Sequence, residues 1–525
     1  MKLPKVFASV VAPCSLGILI SSLLTLASCS SPQATPVATV TVNRQQMGAQ
    51  IPRDFLGFSN EVSTSGMALP TPSSQARGNI RPPADLPTDA KLDYVLGESG
   101  APNTGFFAMM RDLGPGVLRL GGNSQDTNCW DPKAAPHPKW CEGTLTSGDL
   151  KLYSTAAQAS GWRLIIGLNL KQNSARWAQR EATEGIAKQI TDSQIIGLEI
   201  GNEPSLFART PARPKNYSPA DYVKEARAYI SAFHADSVSR KYNFVAPANC
   251  CGWNNATDLG TILNGLGPDL KLASVHNYTT TTCGQKNVTA TELLAPERVK
   301  QFNDLSRSMV AVAHENHLPI ALAETNSASC GGMFGVSNAF TSAVWGLDYL
   351  FNMASDGYSN VDFHFSYRAG GSAYNPVQTF SWKTGNEVQY RNVAQPLYYA
   401  MYMFAKNASG EHLLPASIQT SANITAFATT SGPGSEVHVF IINKDGKASG
   451  PVTVHLAGRT DWGTLLMLQA PSLGSMANDV RYGGKQFDAD GHIVAPSTTS
   501  VRAGANGDYT FTLPNAAAAV LSVAP

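Results

Sequence analysis

The chain of 525 residues has few charged side chains and almost no net charge. Asp, Glu, Lys and Arg together make up 15% of it, and the formal net charge is +1. A nucleic-acid-binding protein would carry a basic patch or stripe, so this composition gives no support for a nucleic-acid partner. Glycine and proline are plentiful instead, with 45 and 32 residues, which is typical of a loop-rich exported protein.

Two motifs that would indicate a metal or a nucleotide are missing. The cysteines show no C-x-x-C spacing, which argues against a structural zinc site. No glycine-rich loop follows the first strongly apolar strand, where an open dinucleotide-binding sheet would have one. The length is sufficient for one large domain and a smaller one.

The N-terminus has the composition of a targeting segment. Lys2 and Lys5 precede an uncharged, mostly apolar stretch that runs to Ala27. We interpret residues 1–28 as a secretory signal and exclude them from fold reasoning. A transmembrane anchor is the alternative, but Pro13 and several serines leave an apolar core that is short for a span.

The end of this segment suggests a lipid anchor. The letters LASC, ending at Cys29, resemble a bacterial lipobox, which predicts that Cys29 is the lipidated first residue of the mature protein. A plain cleaved signal is the alternative. Residues 29–50 then form a tether and a strand, and the expected location is the bacterial envelope, with the lipid as the only membrane contact.

Eight cysteines occur, of which Cys14 lies in the leader and Cys29 is the lipidation candidate. The other six can be oxidised in an exported protein: Cys129, Cys141, Cys250, Cys251, Cys283 and Cys330. We predict a disulfide between Cys129 and Cys141, because they flank a proline-rich loop and are the nearest separated pair. The remaining four permit several pairings.

Short apolar strands alternate with amphipathic segments through residues 51–406. The predicted strands are 55–62, 117–122, 162–170, Ile195–Ile200, 244–247, 272–276, 319–324 and 361–367. Helical segments separate most of them: 175–190, 220–241, 297–317 and 339–354. Such alternation indicates parallel βα units, and eight of them predict a (β/α)8 TIM barrel. A doubly wound open sheet is the alternative.

The composition changes after the last helix. Residues 407–525 alternate β-branched and polar side chains and are punctuated by Asp-Gly turns, which predicts an antiparallel β-sandwich domain. The early stretch Ala38–Val42 is also β-prone and precedes the first barrel strand. We expect that it could pair with the sandwich.

Two acids stand where predicted strands end. Glu203 follows the fourth strand in IIGLEIGNEP, and Glu324 ends the seventh in PIALAETNS. A (β/α)8 barrel places its chemistry at this C-terminal face. Two facing carboxylates suit glycoside cleavage, in which one protonates the leaving oxygen and the other attacks the anomeric carbon or activates water. A solvated or salt-bridged acid is the alternative for either residue alone.

Five motifs resemble those of one family, in its order: FLGFSNE, LRLGGNSQD, GNEP, ETNS and SAYNP. They are similar to glycoside hydrolase family 79, the β-glucuronidase and heparanase family of the clan A retaining glycosidases. The likeness covers roughly residues 50–405. It implies a retaining exo-β-glucuronidase that acts on a glucuronide or a uronate-bearing glycan by double displacement and needs no cofactor or metal.

The resemblance also implies roles for the residues at the barrel mouth. Glu203 matches the general acid/base and Glu324 the nucleophile, while Asn202 matches the amide that binds the sugar 2-hydroxyl. Arg119 and Tyr278 match the neighbours that support the nucleophile. The alternative for Arg119 is an ion pair with a structural acid inside the barrel.

Further acids match the residues that hold sugar hydroxyls in the family. These are Glu61 and Asp126, at the ends of the first and second strands. Either could instead cap a local turn, Asp126 in particular because it lies within Asn-Ser-Gln-Asp. His276, beside the sixth strand, lines the pocket or is a satisfied core histidine.

The expected pocket for a substrate carboxylate departs from the family pattern. Tyr374 matches a tyrosine that grips the carboxylate, and Gly331 and Gly332 match glycines that expose backbone N–H groups. A tyrosine often found shortly after the nucleophile is missing, because Ser329 and Cys330 stand there. This departure implies altered carboxylate contacts, a modified uronic acid or a neutral sugar.

Other functions therefore stay open. One is another clan A retaining β-glycosidase, or an endo-acting hydrolase of a uronate-bearing polysaccharide. The other is a non-catalytic carbohydrate-binding lipoprotein that keeps the barrel. Retention of both glutamates together with Asn202 and Tyr278 argues against the second, since a binding protein could lose any of them without losing its fold.

Overall fold

The structure is a computed structural model. It describes residues 36–62, 80–98, 100–130, 140–367, 371–504 and 506–525. The predicted leader and Cys29 lie outside these residues. Within the described ranges, no helix is both long enough and apolar enough to cross a membrane. Residues 36–525 form one compact unit.

Eight parallel strands close into a barrel and confirm the predicted (β/α)8 architecture. They follow one another around the barrel in chain order, and the first pairs with the last. Their bounds are β1 Leu56–Glu61, β2 Val117–Gly121, β3 Arg163–Leu168, β4 Ile195–Ile200, β5 Phe244–Asn249, β6 Leu270–His276, β7 Ile320–Thr325 and β8 Asn360–His364.

One principal helix follows each strand. The helices are α1 Thr104–Asp112, α2 Ser147–Ser160, α3 Ala175–Arg180, α4 Pro219–His234, α5 Ala256–Leu266, α6 Pro296–Glu315, α7 Phe340–Asp356 and α8 Pro396–Asn407. A π-helical segment, Glu181–Ile186, and a short turn, Ala187–Gln189, extend α3. A further short helix, Ala290–Leu293, precedes α6.

Local sequence fixes where several helices begin and end. Thr146 and Asp149 form a capping box at the start of α2, and Ser218 and Asp221 form another at the start of α4. Gly161 ends α2 in the left-handed conformation that favours glycine. The βα turns are therefore specified by side chains that satisfy otherwise unpaired backbone groups.

The barrel interior changes character from bottom to top. An apolar cluster fills its lower part: Val117, Ile165, Val245, Leu272, Ala321 and Ala323. Side chains alternate along a strand, so the residue two positions after an inward-facing one also faces inward. On β2 this places Arg119 directly above Val117. The polar layer of the site therefore lies on top of an apolar plug.

The C-terminal domain is built of two sheets, as the alternating sequence predicted. One sheet has the order Ala416–Thr420, Ala38–Val42, Gly450–His455 and Asp508–Leu513. The other has the order His412–Leu414, Ile424–Thr430, Val437–Asn443, Ala517–Val523, Trp462–Gln469 and Arg481–Tyr482, and Thr499–Arg502 also pairs with Trp462–Gln469. The pairing is antiparallel except between Ala38–Val42 and Gly450–His455.

The sandwich packs against helix α7. Phe351 stacks on Phe427, with ring centroids 4.7 Å apart. Beside this apolar contact, Lys444 Nζ lies 2.8 Å from Asp348 Oδ2, and both side chains are 3% exposed. A buried ion pair of this kind fixes the relative position of helix and sheet.

The loops at the C-terminal face carry short sheets and disulfides. The extra strands are Lys91–Leu92, Gly97–Glu98, Ala101–Pro102, Asn128–Trp130, Gly143–Leu145, Thr280–Thr281, Ala328–Ser329, Val377–Thr384 and Glu387–Ala394. The disulfides are Cys129–Cys141, which is the pair that the sequence predicted, Cys250–Cys251 and Cys283–Cys330.

Candidate active site

The two predicted acids meet at the centre of the barrel mouth. Glu203 lies just beyond β4, and Glu324 is the penultimate residue of β7, where it is 7% exposed. One carboxylate oxygen from each and a ring nitrogen of His276 all lie within 4.8 Å of one another. The structure therefore brings together two acids that are separated by 121 positions in the chain.

Glu203 has an unusual backbone conformation. Its φ of 49° lies in the left-handed region, which residues with a side chain seldom adopt. A hydrogen bond stabilises this conformation, in which the Glu203 N–H donates to the Ala248 carbonyl over 2.8 Å. Such conformations are concentrated at functional sites, where the surrounding structure must impose them.

One fully buried guanidinium joins the side chains of the site. Arg119 Nε donates to Glu199 Oε2 over 2.6 Å. Its Nη1 donates to Glu324 Oε2 over 3.0 Å and to Ser59 Oγ over 2.9 Å. Its Nη2 donates to Asn202 Oδ1 over 2.9 Å. Arg119 thus supports the predicted nucleophile and also pairs with an acid inside the barrel, so both interpretations made from the sequence apply.

The backbone beside Arg119 has no room for a side chain. A Cβ on Gly121 would lie 2.6 Å from the Arg119 Cζ atom. The glycine that follows in the LRLGG motif is therefore needed for the guanidinium to reach across the barrel. Arg119 can reach its partners on β1, β4 and β7 because Gly121, at the end of β2, has no side chain in the way.

The charges in this layer adjust one another. Burial would lower the pKa of Arg119, but Glu199 and Glu324 outweigh it and raise that pKa. Burial alone would raise the pKa of Glu324. Electrostatic interactions with neighbouring side chains outweigh burial and, with a hydrogen bond from Tyr278, lower the pKa of Glu324 to about 2. The groups responsible are His364, His276 and Arg119.

Tyr278 and Arg119 hold the two oxygens of Glu324 separately. The Tyr278 hydroxyl donates to Glu324 Oε1 over 2.8 Å, while Arg119 holds Oε2. Burial raises the pKa of Tyr278 well above its usual range, so the hydroxyl keeps its proton. The carboxylate of Glu324 is therefore ionised and fixed in orientation.

Two histidines border this carboxylate. His276 Nδ1 lies 3.2 Å from Glu203 Oε1 and 3.7 Å from Glu324 Oε2, so it is between the two acids. His364 Nδ1 lies 3.1 Å from Ser59 Oγ and 3.8 Å from Glu324 Oε2. His276 is thus fully buried and lies against both acids, and its lining of a substrate pocket stays a prediction.

Sequence reasoning missed His364, Ser59 and Glu199. All three lie on barrel strands, and each sits inside an apolar run that was read for its strand character alone. Their spacing alone does not single them out, because residues that alternate along a strand face the barrel axis or the helices according to the strand's register, which the sequence does not give. In a buried strand, a polar residue on the inward face of the barrel indicates the site.

Glu61 is buried at the end of β1, next to the polar layer. Its Oε2 accepts the Ser124 N–H over 2.8 Å and the Ser124 hydroxyl over 2.6 Å. Its Oε1 lies 3.9 Å from His364 Nε2. Burial, the largest effect, raises the pKa of Glu61. One of its oxygens therefore holds the loop after β2, and the other is directed towards His364.

Asp126 makes contacts within the loops. Its Oδ1 accepts the backbone N–H groups of Leu170 and Lys171, over 3.3 Å and 3.2 Å. Burial raises its pKa to about 7 against the opposing effect of those hydrogen bonds. These contacts reach the loop after β3 and not the local turn that the sequence suggested, and the role of Asp126 in substrate binding stays a prediction.

The loop after β7 explains the departure from the family pattern. Cys330 is bonded to Cys283 of the loop after β6, and the two loops also pair through Thr280–Thr281 and Ala328–Ser329. A covalent cross-link thus occupies the place of the expected tyrosine. It ties the loop that follows Tyr278 to the loop that follows Glu324.

Gly332 and Tyr374 lie beside each other at this edge of the mouth. Gly332 has a φ of 80°, and a Cβ there would lie 2.9 Å from the Ser337 side chain and 3.0 Å from the Tyr374 backbone nitrogen. The Tyr374 ring stacks on Tyr278, with centroids 6.2 Å apart. The predicted carboxylate-binding residues therefore adjoin Tyr278, which holds Glu324.

Among the described residues, one group of three could hold a metal ion: Glu203, His276 and Glu324. Arg119 places a fixed positive charge 3.0 Å from an oxygen of Glu324, which disfavours a cation at the same place. The arrangement is better suited to acid and nucleophile chemistry by the carboxylates themselves.

A (β/α)8 barrel with two neighbouring carboxylates at its C-terminal face is the arrangement typical of glycoside hydrolases. No protein-family model matches the chain. Its sequence is similar to known proteins, however: 27% identical over 297 residues to a β-glucuronidase of Aspergillus niger and 25% identical over 340 residues to a β-glucuronidase of Neurospora crassa. The chain is also 23% identical over 367 residues to the heparanase of Gallus gallus.

The likeness to the Aspergillus β-glucuronidase covers 52% of this chain and 55% of that protein. The likeness to the Neurospora β-glucuronidase covers 57% of this chain and 59% of that protein. The likeness to the heparanase covers 57% of this chain and 68% of that protein. The chain thus spans little more than half the length of the two β-glucuronidases it matches. The predicted resemblance to glycoside hydrolase family 79 is confirmed by these relatives.

Solved structures share the fold over nearly the whole chain. A 4-O-α-L-rhamnosyl-β-D-glucuronidase of Fusarium oxysporum superposes with a TM-score of 0.68 at 17% identity, covering 92% of this chain and 100% of its own. A GH51 arabinofuranosidase of Xanthomonas axonopodis gives a TM-score of 0.65 at 14% identity, covering 93% and 100%. At these identities the likeness concerns the fold.

The raised pKa of Asp126 predicts a pH-dependent stability. Between pH 4 and 7 the folded protein retains a proton that the unfolded chain has released, so this residue's contribution falls as pH rises through that window. Asp126→Asn keeps the accepting oxygen but does not titrate. We expect urea unfolding to show that the free energy of unfolding of the wild type falls by a few kcal/mol relative to that of the variant when the pH rises from 4.5 to 8.

Asp221→Asn is the matched control for this measurement. Asp221 is exposed, and hydrogen bonds from Ser218 lower its pKa, so its titration lies below the tested range. Its difference from the wild type should stay constant from pH 4.5 to 8. A constant difference for Asp126→Asn as well would contradict the buried, protonated state assigned to Asp126.

Proposed function

We propose that the protein is a retaining exo-β-glucuronidase that hydrolyses terminal β-linked glucuronic acid by double displacement. The observation that carries this proposal is the close approach of Glu203 and Glu324, whose nearest oxygens lie within 4.8 Å. Retaining glycosidases hold their carboxyl groups about 5–5.5 Å apart, whereas inverting enzymes need about 6.5–9.5 Å to admit a water. The short separation supports direct attack by one glutamate.

In the first step Glu324 attacks the anomeric carbon and forms a glycosyl ester. Arg119 and Tyr278 hold its two oxygens, which supports an ionised and oriented nucleophile. Glu203 gives its proton to the glycosidic oxygen as the bond to the leaving group breaks. The leaving group departs as a neutral alcohol.

In the second step a water takes the place of the leaving group. Glu203, now a carboxylate, removes a proton from this water, which attacks the anomeric carbon and releases Glu324. Both acids then return to their starting states. Net retention follows from two successive inversions at the same carbon.

Asn202 is suited to binding the sugar 2-hydroxyl during these steps. Its carbonyl oxygen accepts from Arg119 over 2.9 Å, which fixes the orientation of the amide. Its NH2 group lies 3.5 Å from Asn123 Oδ1 and retains a hydrogen to donate to substrate. Bonds to the 2-hydroxyl strengthen in the transition state, so this contact favours catalysis over ground-state binding.

A glucuronide is the substrate that the relatives support, since two of them are named β-glucuronidases. In this chain Tyr374, Gly331 and Gly332 lie beside the nucleophile's support and could receive a carboxylate. The cross-link at Cys330 occupies the place of one further expected contact. An endo-acting hydrolase of a uronate-bearing polysaccharide is an outcome that oligosaccharide products would reveal.

We propose further that the protein is exported and anchored through lipidated Cys29. Three disulfides use all six cysteines outside the leader and the anchor, which supports an oxidising compartment. The anchor would leave the barrel in the aqueous phase at the envelope, where glycans and glycosides are accessible.

Substrate choice tests the uronate assignment. We expect the mature protein to hydrolyse an aryl β-D-glucuronide with a kcat/KM at least about a hundredfold above that for the matching aryl β-D-glucoside, because the glucoside lacks the charged group. Tyr374→Phe should reduce this preference by about tenfold or more while turnover of the glucoside changes little. Preference for the glucoside by the wild type would refute the assignment.

The role of Glu203 is tested by chemical rescue. Glu203→Ala should lower kcat/KM by about 10²–10⁴-fold on a substrate whose leaving group needs protonation. Azide should restore turnover of a dinitrophenyl glucuronide and give the β-glucuronyl azide, because the anion attacks the glycosyl ester without needing a base. In Glu324→Ala the same anion should give the α-azide. Azide products of the opposite configurations would reverse the two roles.

A further inference from the structure

The adjacent cysteines Cys250 and Cys251 form a disulfide in the turn that follows β5. The bond closes a small ring that includes the peptide between them, so this turn has little conformational freedom. Cys250 is buried, whereas Cys251 and Gly252 are exposed. The turn therefore presents a rigid, sulfur-containing edge to solvent at the C-terminal face of the barrel.

This edge is joined to the segment that carries Glu203. The Ser205 hydroxyl donates to the Cys250 carbonyl over 2.9 Å, and the Ser205 N–H donates to Asn249 Oδ1 over 3.3 Å. The Glu203 N–H donates to the Ala248 carbonyl over 2.8 Å. The turn after β5 is thus held directly against Glu203 and against Ser205, two residues further along the chain.

A second set of contacts ties the same turn to the other side of Glu203. Asn254 Nδ2 donates to the His276 carbonyl over 3.3 Å, and the His276 ring lies 3.2 Å from Glu203 Oε1. Trp253, in the same turn, packs on Tyr217, with ring centroids 5.5 Å apart. The exposed disulfide edge therefore flanks Glu203, between β4 and β6.

The chemistry of this edge is that of an apolar surface. Residues 244–257 include no charged side chain. Disulfide sulfurs are polarisable and form only weak hydrogen bonds, so they suit the flat apolar face of a ring better than an anion. In the double-displacement reaction the group beside the acid is the leaving group, since the acid must reach the glycosidic oxygen.

We propose that the Cys250–Cys251 edge is the binding site for the leaving group, which it accepts as an uncharged ring with an apolar face. The inference rests on the proposed function, because it places the leaving group beside Glu203 as the acid. A neutral pyranose and an aryl group share this chemistry. The glucuronyl part of the substrate makes no contact with this edge.

Leaving-group dependence tests the proposal. The probes are 4-nitrophenyl β-D-glucuronide, a disaccharide with glucuronic acid β-linked to a neutral sugar, and β-D-glucuronyl fluoride, whose leaving group has no ring. The variants are Cys250→Ser with Cys251→Ser, and the corresponding double alanine variant. We expect kcat/KM to fall about tenfold, or about 1.4 kcal/mol, on the ring-bearing leaving group that the edge accepts and less than twofold on the fluoride.

A second measurement requires no refolding of a variant. Mild reduction of the wild type followed by iodoacetate should carboxymethylate exposed Cys251, which mass spectrometry of the peptide would verify. The added charge should depress turnover of the ring-bearing probes and spare the fluoride. Reduced turnover of the 4-nitrophenyl probe alone would identify a site for aryl leaving groups. Reduced turnover of the disaccharide would identify a site for a sugar leaving group.

The outcomes separate this proposal from the proposed function. A wild type inactive on all three probes would refute the proposed function and the leaving-group site with it. An active wild type whose variants lose equally on the fluoride and the ring-bearing probes would overturn the leaving-group site alone, because that pattern indicates a purely structural disulfide. Unchanged kinetics on every probe would overturn it as well.

Discussion

The site depends on one buried guanidinium. Arg119 lies inside the barrel without solvent exposure, and its partners come from β1, β4, β7 and the residue before Glu203. Removing one partner of a buried charge pair typically costs about 3–5 kcal/mol, because the other charge is left uncompensated. The geometry of Glu324, the proposed nucleophile, and the closure of the barrel at this level are therefore set by the same interaction.

This constraint accounts for the order of the polar layer. The apolar cluster lies below Arg119, and Gly121 leaves room for its guanidinium. Glu199 neutralises the inner side of the charge, and Glu324 receives the outer side. Because Tyr278 takes the second oxygen of Glu324, the carboxylate has one orientation, in which it is held towards the mouth and Glu203.

The sequence was sufficient to predict the barrel and the position of the two principal acids, since each acid stands at the end of one of eight regularly alternating strands. It was insufficient for Glu199 and His364, whose identity as inward-facing residues depends on which face of a strand meets the barrel axis. The pairing of Cys283 with Cys330 was also beyond it, because loop proximity is a tertiary property. The contacts of Asp126 were beyond it as well, because its carboxylate holds backbone N–H groups of the loop after β3 and not of its own turn.

The most direct test of this account is to trap the glycosyl enzyme. A 2-deoxy-2-fluoro-β-D-glucuronyl fluoride should react through its good leaving group, while the 2-fluorine slows release of the ester. We expect mass spectrometry to find one fluoroglucuronyl group per protein, on the peptide that contains Glu324, and none in Glu324→Gln. Attachment to another residue, or turnover of glucuronides with inversion at the anomeric carbon and no trapped ester, would contradict the account.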